Sequence, residues 1–177
     1  MISTCGHSTH PFESFLALLR AHSISQLADI RRYPASRRHP HFDRTALSLA
    51  LEDEGIAYRH FEALGGMRTP RPDSPHVALS EDAFRGYADH MECAEFLGAL
   101  LELQEWATLA PTAAMCAEAN PAGCHRQLLS DALTLRGTAV LHLLDAETRA
   151  PHVVPPFLRR VGTRAVYDGG VLRLDLG

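Results

Sequence analysis

The residues best able to do chemistry stand in one stretch, Cys116-Ala117-Glu118-Ala119-Asn120-Pro121-Ala122-Gly123-Cys124-His125-Arg126. It leads from an apolar, strand-like segment into a helical one. A helix N-terminus offers free N–H groups and the positive end of a dipole to an anion. Cys124, His125 and Arg126 fall in that expected first turn, where a thiol's pKa tends to drop and a guanidinium can fork onto an oxyanion. Glu118, on a loop beside arginines, suits general acid or base work. Cys116 or Cys124 could act as a nucleophile with His125 nearby, although adjacent residues of a helix point apart. The loop of phosphatases and rhodaneses is absent, because the sixth residue after each cysteine is not arginine but Ala122 or Ser130. Cys116, Cys124 and His125 could also ligate a metal, with Glu118 or His7 completing the set. The cysteines are eight positions apart, however, outside the short spacing of common zinc motifs. That spacing calls for no metal and no cofactor, and expects both thiols reduced; the plain alternative is two small core residues.

Two further loops carry the other candidates. In Gly6-His7-Ser8-Thr9 the glycine permits a tight exit from a strand, and Ser8 or Thr9 can cap the next helix or bind a ligand. No cap needs an imidazole, so His7 could share proton transfer, since its ordinary pKa lies near neutrality. The stretch Asp29-Ile30-Arg31-Arg32-Tyr33-Pro34-Ala35-Ser36-Arg37-Arg38-His39-Pro40-His41-Phe42 holds four arginines within eight residues. Most such runs are solvated surface. Here two prolines stiffen the loop and Asp29 can orient an arginine. Arg31 is the best placed to reach an anion, with Ser36 beside it, while most of the others face water.

These loops converge only if the elements between them are arranged to let them. Ile2 to Cys5 reads as a buried strand and Phe12 to about His22 as a helix. Gln26 to Ile30 is a second strand. Asp43 caps a helix that stops at Gly55. Ile56 to Phe61 alternates like a third strand. Residues 62–79, with Gly65-Gly66 and three prolines, form a long loop of the kind that is functional or mobile. Ser80 caps a helical pair, Glu81 to Met91 and Ala94 to Thr108. Thr112 to Cys116, a helix from Cys124 to Arg136 and a strand from Thr138 to Leu144 follow. The tail over 164–176 resembles a hairpin turning at Asp168-Gly169-Gly170. Strands separated by helices imply an α/β fold: a mostly parallel sheet with helices on both faces, plus a short C-terminal β-hairpin, in one domain over 1–177. In such a sheet the loops that follow strands emerge at one edge, where ligands bind.

The bulk numbers fit this reading. A chain of 177 residues with 46% hydrophobic and 21% charged residues can bury a core. No run is long enough to span a membrane, and the N-terminus lacks a signal peptide's pattern, so a cytoplasmic location is expected. Four cysteines in that setting are thiols rather than a disulfide framework. All 17 basic residues are arginine, which codon bias accounts for, and a net charge of −4 argues against a broad surface gripping long nucleic acid.

The three loops together resemble a bacterial and archaeal family, domain of unknown function 488. The segments that carry the resemblance are GHSTH, DIRRYPASRRHPHF, LGG with FRGYADHM, CAEANPAGCHR and the tail PHVVPPFLRRVGTRAVYDGGVLRLDL. Where the family usually has arginine after GHST, this chain has His10. The resemblance implies that His7, Ser8, Asp29, Arg31, Pro34, Ser36, Cys116, Glu118, Cys124, His125 and Arg126 belong to a recurring pattern, and transfers no activity. The residues themselves point to an enzyme, a hydrolase or transferase on a small phosphorylated or nucleotide-like substrate. Arg31, Arg126 and the helix N-terminus would hold the anion, and Glu118, His7, Cys116 or Cys124 would do the chemistry. Two alternatives stay open: a nucleic-acid-binding or sensing module, and a Cys/His metal or redox protein.

Overall fold

The chain is described over residues 1–169 of a computed structural model. Five parallel strands alternate with helices: β1 (Ile2–Gly6), α1 (Phe12–Ala21), β2 (Gln26–Asp29), α2 (Arg44–Asp53), β3 (Ala57–His60), α3 (Asp82–His90), α4 (Ala94–Trp106), β4 (Thr112–Cys116), α5 (Arg126–Leu135) and β5 (Val140–Leu143). A short β6 (Arg149–Pro151) joins the edge of the sheet antiparallel to β5, and β7 (Leu158–Val161) and β8 (Arg164–Tyr167) form a separate hairpin. The sheet order is β3-β2-β4-β1-β5-β6. This is the expected α/β class.

The order explains which helix covers which face. The chain first steps outward, β1 to β2 to β3, then returns to insert β4 between β1 and β2 and crosses to β5. Right-handed crossovers in opposite directions place their helices on opposite faces. The side chains agree. Leu27, Ala113 and Met115 point into a core with Phe15, Leu19, Leu47 and Leu51 of α1 and α2. Their neighbours Ala28, Ala114 and Cys116 point the other way, into a core with Tyr87, Phe96, Leu100 and Leu129 of α3, α4 and α5. Strand alternation therefore commits Cys116 to the α5 face.

Element boundaries follow local chemistry. Asp43 does cap α2, its carboxylate accepting from Thr45 N, and Gly55 and Gly137 end helices with positive φ. Neither Ser8 nor Thr9 caps α1, which starts directly after Pro11. Glu81, not Ser80, occupies the N-cap of α3. The last helix starts at Arg126 because Cys124 is extended, with φ −138° and ψ 146°. Strand β6 went unforeseen: it is three residues long and contains Pro151, which an edge strand tolerates. The C-terminal hairpin turns at Gly162-Thr163, and 170–176, expected as a second arm, lie outside the described residues.

A buried polar chain fastens the tail to the sheet. Tyr167 Oη donates to Asp131 at 2.8 Å, Asp131 binds His152 Nε2 at 2.8 Å, His152 Nδ1 meets His142 Nε2 at 3.0 Å, and His142 Nδ1 meets Thr4 Oγ1 at 2.7 Å. Burial first, then the His152 and Arg126 charges, lower the His142 pKa to about 4. An unfolded imidazole titrates near 6.5, so the unfolded chain takes a proton that the folded one refuses. Stability present above that pH is lost as pH falls toward 4. In His142→Gln this contribution disappears. Its urea-unfolding free energy should fall less steeply than wild type below about pH 6.5, by up to about 1.4 kcal/mol per pH unit. Equal slopes would show that His142 titrates freely in the folded protein.

Candidate functional site

The loops after β1, β2 and β4 leave adjacent strands at the same edge of the sheet, and a cavity of about 430 Å³ opens between them. His7, Arg31, Ser36, Cys116, Glu118, Cys124 and His125 all line it. Ser8, Asp29 and Arg126 do not.

Two pieces of polar chemistry make up the wall and the floor. On the wall, Asp29 is fully buried and accepts four bonds: from Arg31 N at 3.1 Å, Arg31 Nε at 2.9 Å, Arg31 Nη2 at 2.5 Å and Tyr58 Oη at 2.7 Å. Burial disfavours the Arg31 charge, but the Asp29 hydrogen bonds and charge outweigh it and the pKa ends above its ordinary value. Arg31 Nη1 lies 3.3 Å from His7 Nε2. His7 Nδ1 donates to the Ser8 carbonyl at 2.9 Å, so Nε2 must be the acceptor. Burial first, then the Arg31 charge, lower the His7 pKa to about 4. His7 is thus a neutral ring, stacked on Phe42 at 4.2 Å, with its lone pair already engaged. The expectation that it carries protons near neutrality gives way: it holds Arg31 in place.

On the floor, His125 Nε2 lies 3.1 Å from the carbonyl of Ile30 and must donate to it, which leaves Nδ1 facing inward. Cys116 Sγ and Cys124 Sγ each lie 3.7 Å from that Nδ1. The sequence-based objection that Cys124 and His125 point apart fails because neither is inside the helix: Cys124 is extended and His125 is the N-cap residue. Two thiols this close do not both ionise. The Cys124 thiol, hydrogen-bonded to Cys116, draws the Cys116 pKa down against burial, with His125 adding to the effect. Cys116 in turn pushes the Cys124 pKa up, and burial adds to that.

The family model described as Domain of unknown function DUF488 matches residues 11–133, more than half of the chain. The chain belongs to that family. The matched stretch includes the arginine loop, Gly65-Gly66 and the Cys116–Arg126 segment; Gly6 to His10 and the tail lie outside it. No curated protein and no solved structure matches the chain.

In this DUF488 chain Arg126 is the main departure from the sequence reading. It is 1% exposed, and its Nη2 donates to the carbonyls of Glu118 and Ala119, each at 3.0 Å, while Nε has no partner among the described residues. It braces the β4–α5 loop from inside and neither reaches the cavity nor pairs with the Glu118 carboxylate. Starting α5 at Arg126 puts this side chain on the face shared with Leu129 and Leu133, three and seven positions on. Arg37 and Arg38 are exposed, while Arg32 lines the cavity beside Arg31.

Gly66, Glu81 and Phe84 line the cavity too, and sequence reasoning missed them. Glu81 left no signal, and Phe84 only its place at the start of FRGYADHM. Gly66 did, as half of a Gly-Gly pair. A Cβ on Gly65 would stand 2.6 Å from Arg32 Cα, and one on Gly66 2.8 Å from His125 Nδ1. Only glycine lets the chain pass this close.

Asp29 is what holds the wall together. Asp29→Asn leaves a buried guanidinium without its counter-charge and should cost about 3–5 kcal/mol in chemical denaturation. Tyr58→Phe, which removes one bond and leaves the ion pair, should cost only about 1 kcal/mol. Equal costs would mean that the ion pair is not the organising contact.

Proposed function

We propose that this protein is an enzyme acting on a small substrate that carries a phosphate or comparable anionic group, with Cys116, Cys124 and His125 as its reacting centre. The observation that carries this reading is the convergence of those three side chains on the floor of a cavity whose wall presents Arg31 and Arg32. A volume of about 430 Å³ suits a metabolite-sized ligand rather than a long strand.

The anion-binding part falls to Arg31 and Arg32. Arg31 spends two donors on Asp29 and one on His7, so it contributes the N–H groups that remain and a fixed position. Arg32 donates to the Met67 carbonyl at 2.7 Å and has no acidic partner among the described residues, so its charge is uncompensated. Its guanidinium sits 5.4 Å from the centre of the Tyr33 ring. That ring is 60% exposed at the cavity's rim and offers a stacking face to a nucleotide-like ligand. Glu118 lines the same cavity from the β4–α5 loop as an exposed carboxylate, placed to exchange protons with a bound substrate. The reaction class that fits a nucleophile or ligand centre beside an anion wall is hydrolysis or group transfer.

A ligand that binds the folded state raises the thermal midpoint. Phosphate, pyrophosphate and nucleoside monophosphates should therefore raise it, and Arg32→Ala should weaken the response about tenfold while leaving the unliganded midpoint nearly unchanged. Arg126→Lys should do the reverse, lowering the midpoint without changing affinity. A wild-type midpoint indifferent to all of these anions would remove the substrate class proposed here.

A further inference from the structure

We infer that Cys116, Cys124 and His125 form a binding site for one divalent metal ion of the zinc class. The inference concerns the same centre as the proposed active site, but its readout is metal content, so either reading can fail alone. Four observations lead to it.

The three donor atoms, the two Sγ and His125 Nδ1, all lie within 4.8 Å of one another. Each sulfur is 3.7 Å from the nitrogen. A tetrahedral zinc with bonds of about 2.3 Å to sulfur and about 2.0 Å to nitrogen sets those edges at about 3.6 Å. The protein already holds the two sulfur–nitrogen edges of that tetrahedron.

The three donor atoms face one another across the floor. His125 Nε2 donates to the Ile30 carbonyl, and Nδ1 stands equidistant from the two sulfurs. Arg126 N–H points at Cys124 Sγ at 3.4 Å.

The second shell is that of a metal-binding histidine. Such a ring almost always donates its other N–H to a carbonyl or carboxylate, which fixes the tautomer. Here the Ile30 carbonyl serves. Gly66 keeps the approach to Nδ1 clear, since any side chain there would press on the ring.

The spacing of eight between the cysteines looked wrong for zinc because common motifs draw a cysteine pair from one tight turn. In this fold one sulfur comes from a strand end and the other from the residue before a helix cap, so the sheet replaces the turn as the spacer. All three residues line the cavity, which leaves the ion open on that side, as in three-ligand catalytic sites.

The test uses the full chain expressed in zinc-supplemented medium and purified without chelator. Elemental analysis should find about one zinc per chain, reduced roughly tenfold or more in Cys116→Ser and Cys124→Ser and retained in Cys93→Ser. The Cys93 control matters because His90, Cys93 and Glu95 form another close donor group. In case the two serine variants fold poorly, the wild-type protein stripped of metal and titrated with cobalt(II) should develop an intense near-ultraviolet thiolate-to-cobalt band that saturates at about one equivalent. Cobalt bound without that band, zinc lost only in Cys93→Ser, or no tight metal at all after reconstitution would each overturn the inference.

Discussion

The bond from His125 Nε2 to the Ile30 carbonyl governs the chemistry of the floor. A carbonyl can only accept, so Nε2 carries a proton, and Nδ1 is turned toward Cys116 and Cys124. The same bond ties the β4–α5 loop to the end of β2. It exists because β2 and β4 are neighbours, with Asp29 in register with Met115. Sheet topology, loop exit and tautomer are therefore one constraint. A slip of the register by one residue would exchange Cys116 for Met115 on the α5 face and leave the imidazole with one thiol.

The wall is organised on a different principle. Asp29 and Arg31 neutralise each other in a nearly dry setting, and His7, held uncharged, completes the guanidinium's coordination. Burying a pair of charges gains little net stability, since desolvation offsets most of the attraction. What the arrangement secures is position. A guanidinium with three of its N–H groups already engaged cannot swing away from the cavity wall it lines. Arg32, next in the chain, keeps its charge uncompensated. The two adjacent arginines thus divide the work between geometry and charge.

Much of this was legible in the sequence, and the failures have physical causes. Strand and helix positions followed from periodicity, and one-edge convergence of the loops followed from β/α alternation. Arg31, with Asp29 two residues earlier, was recognisable as an oriented cation. Helix phase was not legible at the Cys124–Arg126 junction. Placing the helix start two residues early turned Arg126 outward and set Cys124 and His125 on diverging faces, whereas the extended Cys124 reverses both outcomes. His7 was misjudged for another reason. Sequence supplies the ordinary pKa of an imidazole but not the burial and the neighbouring guanidinium that lower it. Edge strand β6 was too short for any period to register.

The long stretch over 62–79 closes the argument about access. Its length suggested a functional or mobile loop, and its first part is pinned at several points. Tyr87 Oη donates to the Leu64 carbonyl at 2.8 Å, His90 Nε2 to the Ala63 carbonyl at 2.7 Å, and Arg68 Nε to the Gly65 carbonyl at 3.0 Å. Gly65 and Gly66 press against Arg32 and His125 at distances no side chain would permit. A segment held by buried donors and packed without clearance is a wall, since opening it would expose Tyr87 and leave its hydroxyl and the Leu64 carbonyl without each other. Beside that wall Tyr33 and Met67 are exposed, and Glu81 and Glu118 bring negative charge to the cavity lining.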